Sequence, residues 1–182
     1  IHNIVNHSEA KLLFVGDYVA TIIDQTKMPD LEGIIYIPDY SLVVSRTDKL
    51  TYAREHLNAM FGEKYPKFFR KEHVHYYREQ SPEELALINY TSGTTGFSKG
   101  VMIPYRAMWS NYDFAMTAVA KHIKKGDNVI SILPMAHMYG MAFEFLFEFL
   151  FGCHVFYLTR VPSPAIIAAA FAEVKPAIII AV

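Results

Sequence analysis

The sequence predicts an α/β fold in which helices are layered on a mostly parallel sheet. Three observations carry that reading. From residue 81 onward, short apolar runs alternate with longer segments of helical periodicity. The run "LALIN", Leu85 to Asn89, is apolar on both faces, as a strand covered on both sides would be. Residues of the AVILMFWYC set make up 52% of the 182-residue chain and charged residues 19%, which supplies enough apolar material for a core.

Lys11 to Val15 reads as a short strand, and Gly16-Asp17 opens a helix that places Tyr18, Ile22 and Thr26 on one face and stops at Pro29. "GIIYI" and "SLVV" read as strands flanking the turn at Pro38-Asp39. Thr47 or Asp48 is placed to cap a helix carrying Leu50, Ala53, Leu57, Met60 and Phe61, with Gly62 at its end. Periodicity fades from Glu63 to Gln80, which reads as a connecting segment or an excursion outside the main sheet. Residues 1–80 are thus part of a first α/β subdomain with its connection, and 81–182 form an α/β subdomain of their own.

Ser81-Pro82-Glu83-Glu84 combines a capping serine, a proline at the first helical position and a following glutamate, so one helical turn is expected before "LALIN". A short "GVMI" strand leads to a helix from about Pro104 with Tyr105, Met108, Trp109, Tyr112, Met116 and Val119 on one stripe. "DNVISIL" is read as strand, Met138 to Phe151 as helix and "CHVFYL" as strand. Ser163-Pro164 starts a helix that ends before Pro176, and "AIII" closes the pattern.

A net charge of −1 carries no basic excess, so no nucleic-acid partner is expected. The lone Cys153 excludes an intramolecular disulfide and suits a reducing compartment. Val129 to Leu158 is interrupted by Pro134, His137, Gly140, Glu144, Glu148, Gly152 and His154, and reads as core rather than membrane span. His73-x-His75 lacks an evident third metal ligand. The chain begins without methionine and stops within "PAIIIAV", and is expected to be a piece of a longer protein.

The chemistry is concentrated in "NYTSGTTGFSKG", Asn89 to Gly100, which follows the apolar run directly. Gly93, Gly96 and Gly100 let main-chain amides approach a ligand, while Thr91, Ser92, Thr94, Thr95 and Ser98 add hydroxyls and Lys99 a cation. Amides, hydroxyls and one ammonium together suit phosphate, whose oxygens each need a donor. The Walker pattern fails twice: Ser98 stands where its second glycine belongs, and Gly100 where Ser or Thr should follow the lysine.

Residue for residue, the stretch resembles the phosphate-loop signature of the AMP-forming adenylating superfamily of acyl-CoA synthetases, luciferases and peptide-synthetase adenylation domains. Ile88 takes the apolar position, Thr91-Ser92-Gly93-Thr94-Thr95-Gly96 the hydroxyl-glycine core and Lys99 the closing base, with Ser98 where proline is commonest. "LPMAHMYG", Leu133 to Gly140, is similar to the substrate-site motif Leu-Pro-x-x-His-x-x-Gly of acyl-CoA synthetases. The fold implied is part of the N-terminal domain of such an enzyme, most similar to bacterial long-chain fatty acid–CoA ligases.

The resemblance implies a reaction in two halves. A carboxylate attacks the α-phosphate of ATP, giving acyl-AMP and pyrophosphate, and the thiol of coenzyme A then displaces AMP. Thr91, Ser92, Gly93, Thr94, Thr95, Gly96 and Lys99 are the implied nucleotide-binding residues, Thr91 the contact to Mg2+, and His137 the catalytic residue that orients the carboxylate. The implied partners are fatty acid, ATP and CoA, together with a C-terminal part of the parent chain. A cytoplasmic enzyme with peripheral membrane contact is expected. The Tyr-Gly-x-Thr-Glu motif of the family is absent from the sequence, so these 182 residues alone are expected to be inactive. The phenylalanine-rich helix after His137 suits either core packing or an acyl tunnel. Rival readings are an adenylating enzyme for aryl, short-chain or amino acids, and a non-catalytic nucleotide-binding or interaction module.

Overall fold

The computed structural model describes residues 1–73, 81–91 and 98–180. Two units are distinguished, one in the N-terminal half and one carrying the β4 strand and all that follows Lys99.

The first unit starts with α1 (His2–His7) and builds a three-stranded sheet from β1 (Leu12–Val15), β2 (Gly33–Tyr36) and β3 (Leu42–Ser45). β1 and β2 are parallel, joined through α2 (Asp17–Ile22), whereas β2 and β3 are antiparallel across a tight turn. Val5, Val15, Met28, Leu31 and Ile34 form its core. Arg46 organises the covering loop by donating to the carbonyls of Gln25, Met28, Pro29 and Leu31 at 2.7–3.0 Å.

Two expectations for this unit are corrected. α2 ends at Ile22 rather than running towards Pro29, and it packs through Val19 and Ala20, leaving Tyr18 75% exposed. The helix capped by Thr47, whose Oγ1 accepts from Leu50 N at 3.2 Å, breaks at His56. His56 leaves helical geometry and stacks on Tyr52, so α3 (Asp48–Glu55) and α4 (Leu57–Lys64) replace one helix, with Gly62 inside α4. His75 lies outside the described residues, among which no three His, Cys, Asp or Glu side chains could share a metal.

In the second unit, β4 (Leu85–Thr91) and β5 (Lys99–Pro104) form an antiparallel pair, followed by α5 (Tyr105–Ala118). β6 (Asn128–Ser131) and β7 (His154–Tyr157) are parallel, joined by a helical run whose centre, Gly140–Phe147, is a π-helix and whose end is α6 (Glu148–Phe151). α7 (Pro164–Val174) follows, and "AIII" contributes one parallel bridge, Ile178 to Val129. Ala115, Ile123 and Phe147 form a core cluster, while Val129 and Ile130 lie buried in the strand beside the helices.

The fold is α/β as expected, but its sheets are small and mixed in direction. β4 lies antiparallel to β5 and half-buried, not sandwiched in a parallel sheet. The reason lies in connection length: a parallel neighbour needs a crossover of about a dozen residues or more, and the loop between β4 and β5 is too short for one. In place of the expected helical turn before β4 there is a single hydrogen-bonded turn, with Glu84 N donating to Ser81 O at 3.0 Å. Ser163 caps α7 by accepting from Ile166 N at 3.3 Å. Ser163→Ala is expected to lower the unit's stability by about 1 kcal/mol, read as a shift in the urea midpoint at constant slope.

Candidate functional site

The antiparallel register sets the two ends of the phosphate loop opposite each other, with Thr91 paired to Lys99 across the hairpin, both exposed. Ser92, Gly93, Thr94, Thr95 and Gly96 lie outside the described residues. Gly100 is required by the hairpin itself: a Cβ there would come within 3.0 Å of Ile88 Cγ2 and 3.1 Å of the Tyr90 ring. Its missing side chain is the space those two occupy.

His137 stands in the turn between β6 and the following helix, exposed, with its N–H donating to Pro134 O at 2.9 Å. Tyr139 N donates to His137 Nδ1 at 3.3 Å. An accepting Nδ1 leaves Nε2 of the neutral ring as the N–H donor, available to a carboxylate oxygen. Asn89, two residues before Thr91, donates through Nδ2 to Ala136 O at 2.8 Å. That bond ties the strand entering the phosphate loop to the residue before His137, and sequence reasoning assigned it no role. A side-chain amide ahead of a hydroxyl-rich loop was the available signal.

Below the turn, Glu144 is fully buried, and its Oε2 accepts from Ser131 Oγ at 3.1 Å, Ile132 N at 2.9 Å and Leu133 N at 2.7 Å. Burial pushes its carboxyl upward, partly offset by these donors. Glu148, one turn on and 1% exposed, is pushed up to about 8 by burial first and the neighbouring Glu144 charge second. Glu144 Oε1 and Glu148 Oε2 are buried with no hydrogen-bond partner among the described residues. The sequence held the signal in two acids four apart within a phenylalanine-rich helix.

An apolar cavity of about 330 Å³ opens between β4, α5 and the π-helix, walled by Leu87, Met108, Trp109, Tyr112, Met141 and Leu146 among others. It begins one turn from the histidine, since Met141 N donates to His137 O at 3.0 Å. Of the two expectations for the phenylalanines, core packing holds for part of the set. Phe147 is buried in the core with Phe143 and Phe151 against it, Phe149 is 65% exposed, and this helical run gives the cavity wall Met141, Leu146 and Leu150 rather than a phenylalanine.

Comparison with known proteins bears on this arrangement. Over 159 residues the chain is 30% identical to the long-chain-fatty-acid–CoA ligase 1 of Homo sapiens, covering 83% of this chain and 21% of that protein. It is 38% identical over 65 residues to a 4-chlorobenzoate–CoA ligase of Arthrobacter sp, covering 36% and 12%. The fold is similar to that of an anthranilate–CoA ligase crystallised with anthranoyl-AMP, at a TM-score of 0.68 and 16% identity over 98% of this chain and 32% of that one. The chain therefore spans about a fifth of the human relative's length. The model of the AMP-binding enzyme family matches residues 1–182, and the chain belongs to that family.

Proposed function

We propose that this chain is the phosphate-loop and acyl-site part of an ATP-dependent long-chain fatty acid–CoA ligase. The observation that carries the reading is the Asn89 Nδ2 to Ala136 O bond of 2.8 Å, which holds the entrance of the phosphate loop beside the His137 turn. In this reading Thr91 to Gly96 cradle the β- and γ-phosphates and Lys99 closes on them. His137 donates from Nε2 to the carboxylate and orients it towards the α-phosphate. Such positioning and charge neutralisation lower the barrier because two anions must meet before they react. The carboxylate oxygen forms a bond to the α-phosphorus, pyrophosphate leaves, and CoA thiol then displaces AMP.

Thr91 is exposed at the strand end and offers one oxygen, which fits magnesium, a hard cation that keeps most of its shell as water and phosphate oxygen. When bound, the ion supplies further charge neutralisation. The cavity beside Met141 is the place for the alkyl chain, each buried methylene contributing about 0.8 kcal/mol. The enzyme acts in the cytoplasm, drawing its substrate through peripheral contact with a membrane. The 182 residues alone form no acyl-CoA.

The test is ATP–pyrophosphate exchange by the full-length protein with a panel of carboxylates. Exchange should be strongest with long-chain fatty acids, and Lys99→Ala and His137→Ala should each lower kcat/KM by about a hundredfold. Likeness to the 4-chlorobenzoate ligase favours an aryl acid as the second reading. Exchange restricted to aryl acids would establish it instead, and exchange with no carboxylate would sink both.

A further inference from the structure

We infer that Glu144 is a positioning residue for His137: its buried carboxylate takes the main-chain N–H groups beyond β6 and so sets where the Pro134–His137 turn leaves the strand. The inference deepens the adenylation reading and rests on it for its kinetic part.

β6 ends at Ser131, although the sequence stays apolar through Leu133. The N–H groups of Ile132 and Leu133, which a longer strand would give to a neighbour, instead donate to Glu144 Oε2, with Ser131 Oγ as third donor. A carboxylate without exposure is costly in an apolar helix unless several donors hold it. Here three donors converge on one oxygen, so the charge and the main chain each satisfy a need of the other. Pro134 follows at once, its carbonyl accepts from His137 N, and Gly140 sits against the same carbonyl. Glu144 therefore reaches His137 through a short series of fixed links. Its helix is π-wound over Gly140–Phe147, a rare geometry that is frequent at functional sites.

The experiment uses the full-length protein and four variants: Glu144→Gln, which keeps an acceptor oxygen at the same reach, Glu144→Asp, which shortens that reach, Glu144→Met, which removes it, and His137→Ala. Glu144→Asp and Glu144→Met should lower kcat for ATP–pyrophosphate exchange by at least about tenfold, leave KM for ATP within about twofold, and be rescued to within about threefold by Glu144→Gln. In a His137→Ala background, Glu144→Asp should cost less than about twofold, because the residue it positions is gone. Equal losses in both backgrounds, or full activity in Glu144→Asp, would overturn the inference. Amide exchange at Ile132 and Leu133 supplies a readout independent of activity and of the solubility of the methionine variant. It should quicken by at least about tenfold in Glu144→Asp and not in Glu144→Gln. Unchanged exchange in Glu144→Asp would also overturn it. If the unmodified protein activates no carboxylate, the proposed function fails by itself, and these two amides still decide whether Glu144 holds the turn.

Discussion

Glu148→Gln is expected to flatten the fall in stability between about pH 5 and pH 8 and to leave the variant the more stable protein above that range. Glu148 is 1% exposed, its Oε2 has no partner among the described residues, and burial followed by the Glu144 charge raises its pKa from 4.5 to about 8. Between those two values the folded chain holds a proton that the unfolded chain has released. Stability must then decrease as pH rises, by about 1.4 kcal/mol per unit, and level off once the folded group also ionises. Summed over the window, the effect is on the order of several kcal/mol. Glu144 adds to the same slope, since burial also raises it, but its three donors oppose the shift. Ionised Glu148 is in turn a secondary reason, after burial, that Cys153 and Tyr157 are pushed up. The amide of glutamine carries no charge at any of these pH values and removes this contribution. Urea midpoints at pH 5.5, 7 and 8.5 measure the difference, and parallel curves for the two proteins would show that Glu148 is not the group responsible.

How much of this was legible depended on whether the cause was local. The helical run from residue 138 to 151 lies where the sequence reading places it, although its centre is π-wound, and the Ser163 and Thr47 caps act on the amides three residues on. Each is a short-range pattern. Strand direction could not be read from "LALIN", which is equally apolar whether its neighbour runs parallel or antiparallel, and the signal lay instead in the short connection to the next strand. The break at His56 was also hidden, since Leu50 to Phe61 keeps helical spacing across it. At the candidate site, the residue types of the phosphate loop and the His137 motif announce themselves by chemistry. Asn89 and Glu144 do not, because Asn89 bonds a carbonyl 47 residues away and Glu144 bonds amides from another element, and neither leaves a periodic trace.

Gly140→Val is expected to lower stability by more than about 3 kcal/mol, and Gly140→Ala by about 1–2 kcal/mol, despite alanine's better helix propensity. Two effects compete. Replacing a helical glycine by alanine favours the helix by about 1 kcal/mol. Against this, a Cβ on Gly140 would lie 2.8 Å from Pro134 O, 3.3 Å from Pro134 C and 3.2 Å from Leu133 Cβ. Two of these three atoms are main chain and the third is a Cβ held directly by it, so no rotamer change can move them aside and the helix and the turn must separate. The same chain contains a control in Gly62, within α4, where nothing lies within 4 Å of the added Cβ. Gly62→Ala should therefore stabilise by about 0.5–1 kcal/mol, and the two alanine substitutions should differ in sign. Denaturant unfolding followed by circular dichroism reads both. If Gly140→Ala stabilised as Gly62→Ala does, the contact with Pro134 would have to be soft, and the turn carrying His137 would lose one of the fixings, beside Glu144 and the Asn89 bond to Ala136 O, that keep it in place.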